Sequence, residues 1–108
     1  TDKPVLVMVH HTLGDSEGDL LDARDFLEIC KAAPHVKAIF YGHSHQYNFR
    51  RDGHVHLVNL PAVGYNFAPR EPVGWVAAEL RPTGIQLQLY AVAGNQEKDG
   101  AITELNWG

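Results

Sequence analysis

Two short apolar runs, Pro4 to Val9 and Val36 to Tyr41, lead into histidines, the first directly at His10 and the second after a break at Gly42, and a segment with helical patterning lies between them. Runs of this length, rich in Val, Leu and Ile and bounded by polar residues, read as buried strands. The intervening helix is expected from about Asp19 or Asp22 to Ala33. Along it Leu20, Ala23, Leu27 and Cys30 form one apolar face, while Asp19, Asp22 and Asp25 sit near its positive amino end as caps. Pro34 stops it. Strand, helix and strand make one βαβ unit with parallel strands, so the pair His10-His11 and the run Gly42-His43-Ser44-His45 emerge from the carboxyl ends of neighbouring strands. Open α/β sheets bind ligands at that edge.

From Gln46 onward the pattern changes to hairpins and the sheet is expected to become antiparallel. Gln46 to Arg51 and His54 to Leu60 flank Asp52-Gly53, a dipeptide favoured in tight type I′ turns. Val73 to Arg81 and Ile85 to Val92 flank Pro82-Thr83-Gly84; in the second of these strands Gln86, Gln88 and Tyr90 alternate with Leu87, Leu89 and Ala91, which gives one wet face. Residues 61 to 72 read as a long Pro-containing loop, and residues 94 to 108 as a polar tail in which Trp107 docks. The fold class is therefore α/β with α+β character: one βαβ unit followed by antiparallel hairpins.

At 108 residues and 44% apolar content the chain is long enough for one small domain with a modest core. A net charge of −4 with nine Lys and Arg argues against nucleic acid as the main partner, since no basic run is present to neutralise phosphates. Small anionic substrates remain compatible where metal ions supply the positive charge. The lone Cys30 cannot form an internal disulfide, and no stretch approaches the length of a membrane span or carries the pattern of a signal peptide, which an upstream region could hold. Localisation is left open, with a soluble chain expected.

Seven histidines are the unusual number, because neutral imidazole is the commonest metal ligand. Taken as extended backbone, His43 and His45 would stand roughly 6 to 7 Å apart at Cα. Paired hydrolytic metals lie about 3.5 to 4 Å apart, so the two rings can each hold a different ion. Gly42 is suited to the bend after the strand, and His10 can join from the neighbouring strand. His54 and His56 form a second H-x-H, expected to be an exposed strand pair, and His35 a loop residue.

From Pro4 to Val92 the chain resembles the calcineurin-like metallophosphoesterases: an apolar strand ending in His-His, a helix, "VKAIFYGHSH", a hairpin and "VNLPAVGYNF". The resemblance implies half of a metallophosphoesterase β-sandwich, with residues 1–108 as the carboxy-terminal part of a single domain. It implies two transition-metal ions (Mn, Fe or Zn), with His10 and His43 on one and His45 on the other. His11 falls at a position that varies in the family and is expected as a near-site residue. Thr12 stands where the family often has Pro. The implied activity is hydrolysis of a phosphoester, with the ions polarising the phosphoryl oxygen and activating a water. Asn66 and Arg70, in the loop, are candidates for substrate contact. The family's acidic motifs all precede this segment. Gly18-Asp19-Leu20-Leu21-Asp22 spells one of them in the wrong order and is better read as a helix cap. The expected partners are accordingly a phosphoester, an amino-terminal half of the same protein, and other copies of the chain through exposed sheet edges. Two alternatives remain at this point: a non-catalytic metal-binding or interaction module, and a single-metal His₃ hydrolase.

Overall fold

A computed structural model describes residues 2–14 and 19–107. The chain divides into two compact units, Thr1–Ser44 with Asn48–Asn59, and His45–Tyr47 with Leu60–Gly108. Among the described residues no helix is long and apolar enough to cross a membrane.

The first unit holds β1 (Val5–Met8), α1 (Ala23–Ala32), β2 (Val36–Tyr41), β3 (Asn48–Asp52) and β4 (Val55–Asn59). The βαβ unit forms as expected, with β1 and β2 parallel in the register Met8 to Phe40. Helix α1 starts at Ala23, so Asp22 is its N-cap. Asp22 makes no side-chain capping bond there. Asp19 is held instead by the hydroxyl of Thr12, and Leu20 N–H bonds Thr12 O, which closes the chain before the helix onto itself. Gly18 and the rest of residues 15–18 lie outside the described residues, so the Gly18–Asp22 pattern is only partly visible. At the other end Pro34 forces Ala33 into extended backbone, φ −105° and ψ 103°, and Ala33 N–H closes the last turn on Cys30 O. The helix packs Ala23, Phe26, Leu27 and Cys30 inward, against a core of Leu13, Val36, Ile39, Tyr41, Val55 and Leu57.

The sheet departs from expectation in its order, β1-β2-β4-β3. Strand β4 returns between β2 and β3 and pairs with β2 in parallel, so the sheet is mixed rather than switching to antiparallel. The cause is burial. All five β4 residues are buried and belong in the middle of a sheet, whereas β3 carries Arg50, Arg51 and Asp52 and suits an edge. Strand β1 is the opposite edge and is only half-buried, with Met8 72% exposed, so the fully buried strand expected there is not found. The β3–β4 turn is also displaced by one residue. Asp52 pairs with Val55, which puts Gly53 and His54 in the loop, with Gly53 at φ +60° and His54 outside the positive-φ region. A glycine first in a two-residue loop is the type II′ pattern, not I′. His54 therefore leaves the strand, donating through Nε2 to Ala33 O at 3.1 Å, and His56 is buried; neither is the exposed strand residue expected.

The second unit is a three-stranded antiparallel sheet, β5 (Pro72–Arg81), β6 (Gly84–Gly94) and β7 (Ile102–Asn106), in that order. Leu87, Leu89 and Ala91 are buried while Gln86, Gln88 and Tyr90 are half-exposed, as the alternation requires. Its first hairpin turns on Pro82-Thr83 alone, with Gly84 already paired to Arg81. The expected tail is a third strand. Leu105 is buried opposite Ile85, and Trp107 N–H bonds Thr83 O at 2.8 Å. A long central β6 has backbone groups on both sides to satisfy, and β7 satisfies the second row.

Candidate metal site

Main-chain pairing of β1 and β2 runs past the last residues of both strands. Val9 N–H bonds Phe40 O and Gly42 N–H bonds His10 O, each at 3.0 Å. His10 is thereby fixed beside Gly42-His43. Three exposed imidazoles gather there. His10 and His43 have ring centroids 5.2 Å apart, and His11 lies 5.1 Å from His10 and 5.3 Å from His43. His43 Nδ1 and His10 Nε2 stand 3.3 Å apart. Two nitrogens each about 2.05 Å from one tetrahedral ion are separated by about 3.35 Å, so the pair fits two positions of a single ion's shell. Among the described residues, no three His, Cys, Asp or Glu side chains are arranged to hold a metal ion. The donor set thus fits part of a site. His11 also lines an open depression of about 500 Å³ together with Asp19, Leu20, Leu21 and Asp22.

The Gly42–His45 backbone is not extended. His43 adopts φ 75° and Ser44 N–H bonds Gly42 O at 2.9 Å, the positive-φ form of the γ-turn, which is rare and strained. His45 also has positive φ, 55°. Left-handed backbone costs an L-residue roughly 1 to 2 kcal/mol. Gly42 itself is not in this region, and a Cβ there would meet nothing nearer than His10 O at 4.0 Å. The bend expected of the glycine is taken by the histidines. Ser44, between them, accepts at Oγ a bond from Asn59 Nδ2. Asn59 ends β4 beside Tyr41, is only 3% exposed, and its Oδ1 has no partner among the described residues. An unmade buried bond costs about 1 to 3 kcal/mol, a second local expense at the same turn.

His45 belongs to the second unit. Its Nδ1 lies 2.8 Å from Tyr65 O. A carbonyl only accepts, so Nδ1 carries the hydrogen and Nε2 keeps its lone pair, the tautomer set by a backbone partner in histidine metal ligands. The ring stacks on Phe67 at 3.9 Å and 8°, and meets Tyr65 edge-on at 4.9 Å. The loop carrying these aromatics is tied at Glu71, whose carboxylate accepts Tyr47 N–H and whose carbonyl accepts Asn66 Nδ2 and Asn95 N–H. The Asn66 amide is therefore engaged inside the loop. Arg70 is open, its side chain 75% exposed and 3.9 Å from Glu71 Oε2. Tyr65, Phe67 and Glu71 were not singled out by sequence reasoning. The aromatic-x-aromatic spacing of Tyr65 and Phe67 was the available signal, two rings on one side of an extended stretch.

No family model matches the chain. It is 33% identical over 88 residues to a probable cyclic nucleotide phosphodiesterase from Synechococcus sp., covering 75% of this chain and 34% of that protein. Among solved structures it is similar to a dimetal phosphatase from Danio rerio, with a TM-score of 0.74 at 14% identity, covering 97% of this chain and 32% of the other. It is also similar to zinc-complexed Vps29 from Entamoeba histolytica, with a TM-score of 0.55 at 16% identity and coverage of 92% and 53%. The chain thus spans about a third of the length of the first two.

Proposed function

From a chain that has the fold of the calcineurin-like metallophosphoesterases, we propose that its histidines serve metal-dependent phosphoester hydrolysis in a longer protein. The observation that carries this reading is the His10–His43 nitrogen pair, 3.3 Å apart and fixed by the Gly42-to-His10 main-chain bond. His10 and His43 hold one ion. His45, through Nε2, holds the other. Bound divalent ions supply charge that polarises a phosphoryl oxygen and acidifies water. The chain's own residues do the rest: the strained turn keeps His43 aimed, Tyr65 O keeps the His45 tautomer, and His11 stands ready to hold a proton beside the first pair. Arg70 offers an exposed guanidinium to an anionic substrate. The acidic ligands that balance two ions come from the rest of the longer protein, and the family relatives' extra length supports that division.

Calorimetric titration of Zn or Mn into this chain tests the ligand set. Binding is expected at about pH 8 and is weakened at about pH 5.5, because imidazole must be neutral to ligate. His43→Ala is expected to lower affinity by at least tenfold, the order of effect that loss of even a supporting partner produces. Tight binding that survives both changes would place the ligands elsewhere. Turnover of a chromogenic phosphodiester by this chain joined to its upstream sequence, and its loss in His43→Ala, then separates an enzyme from a metal-binding module.

A further inference from the structure

We propose that the outer edge of β5 is a pairing edge for a second copy of this chain, which adds its own β5 antiparallel across a two-fold axis at Ala78. The starting point is a row of backbone groups with no strand beside it. Gly74 N–H points away from β6, to Ala62 O at 2.9 Å, and Arg81 closes the two-residue hairpin on Gly84. Alternation along the strand then turns Trp75, Ala77, Glu79 and Arg81 toward β6, and the N–H and C=O groups of Val76, Ala78 and Leu80 outward. Among the described residues, the pairing on that side is limited to the bridge between Ala62 and Val73. Sheet edges are ordinarily blunted by shortness, by charge or by proline. Strand β1 has four residues and β3 carries Arg50, Arg51 and Asp52, whereas β5 runs ten residues and has Glu79 as its one charge between Val76 and Leu80.

Pairing β5 with itself allows few registers, and chemistry selects one. With Ala77 opposite its own copy, Leu80 faces Gly74, whose N–H is already given to Ala62. With Glu79 opposite its own copy, two carboxylates meet and Val76 faces Pro82, which has no N–H to give. With Ala78 opposite its own copy, Val76 faces Leu80 in both directions, and every outward N–H and C=O of these three residues finds a partner. Small side chains then meet at the axis, and Val76 of the second copy covers Leu80, which is 54% exposed in the single chain. On the other face Trp75 is 51% exposed and stacks on Tyr90 at 4.4 Å and 9°, which covers one side of the indole. Arg81 of the second copy falls opposite Trp75, guanidinium against ring. A ladder from Val76 to Leu80 buries less than the roughly 1,200 Å² of stable interfaces, so the dimer is weak, with a dissociation constant on the order of 0.1 mM.

The test is sedimentation of this chain across concentrations on either side of that constant, with two variants at the axis. Ala78→Pro removes an outward N–H that β6 does not use, and Ala78→Lys sets two like charges opposite each other; each is expected to weaken association at least about tenfold. Continued exchange protection of the Leu89 amide, which bonds Ala101 O, reports that each variant keeps its sheet. Register is read by cross-linking under mild oxidation, where the buried Cys30 leaves the signal to an introduced thiol. The two Ala78 Cα atoms stand about 5.5 Å apart in the chosen register, inside the roughly 4.4 to 6.8 Å a disulfide spans, while the two Leu80 positions are roughly 13 Å apart along the strand. Ala78→Cys is therefore expected to form a covalent dimer and Leu80→Cys to remain a monomer. A chain that stays monomeric throughout, a dimer unaffected by both axis variants, or Leu80→Cys linking as fast as Ala78→Cys would overturn the proposal. So would a monomeric chain joined to its upstream sequence in which the Val76, Ala78 and Leu80 amides are protected, because the edge would then be taken within the longer protein.

Discussion

His43 holds a backbone conformation that L-residues avoid, while the glycine next to it holds an ordinary one. The strain sits on a side chain with two ring contacts and a nitrogen aimed at His10, which is the arrangement expected where local stability is given up for position. His43→Gly is therefore expected to raise stability by about 1 kcal/mol while abolishing its share of metal binding. Gly42→Ala is expected to leave stability within about 0.5 kcal/mol, since a methyl there meets only His10 O, at an ordinary contact distance of 4.0 Å. Urea denaturation midpoints at constant slope measure both; a His43→Gly chain less stable than the parent would show that the turn is not strained. The histidines themselves were legible in the sequence because they fall where apolar runs stop. Which residue of Gly42–His45 takes the positive φ was not. A glycine in the segment pointed to itself, and only the Ser44 bonds to Gly42 O and Asn59 locate the bend at His43. Likewise Asn66 and Arg70 look equivalent as polar loop residues, and the bond from Asn66 to Glu71 O is what separates them.

Among the elements, βαβ and the β5–β6 hairpin could be read directly, because period and length agree with turn chemistry at each boundary. The place of β4 could not. Local pattern gives strands and turns but not lateral order, and β4 joins β2 only because its five buried residues need neighbours on both sides. Strand β7 was missed for a related reason: Ile102–Asn106 is mostly exposed and gains its conformation from the unpaired edge of β6 rather than from its own composition. Its close approach depends on Gly84. A Cβ at that position would run into Leu105 O and stand 3.2 Å from Asn106 Cα. Gly84→Ala is expected to cost about 1 to 3 kcal/mol, as overpacking does, and to speed hydrogen exchange at the Trp107 amide that bonds Thr83 O. Unchanged exchange at Trp107 would mean that β7 docks without the space Gly84 leaves.

At the scale of the molecule, three groups set an alkaline limit. Burial pushes the Cys30 thiol above its ordinary value of 9.0 and the Tyr47 phenol above 10.0. The hydrogen bond that Lys31 donates to Asp52, then the charge of Asp52, and then Glu28 hold Lys31 above 10.5. In each case folding favours the protonated form, so the contribution is complete below the ordinary value and is lost as pH rises through the raised one. Stability measured by urea is expected to be level through neutral pH and to fall from about pH 9 upward, with Cys30→Ala moving the onset higher. A decline that begins below pH 8 would need other groups. The two sheets also differ in what their assembly demands. The β5-β6-β7 meander joins strands consecutive in the chain, whereas the other sheet must bring Val5 to Val36 and Ala38 to His56 before any parallel ladder exists. Contacts far apart in sequence carry a larger loop-closure entropy and form later. Pulse-labelled hydrogen exchange during refolding should accordingly protect the Leu87 and Leu89 amides ahead of Ile39 and Leu57, so that the sheet without His10 and His43 is built first and the edge that carries them is among the last parts of the chain to take shape.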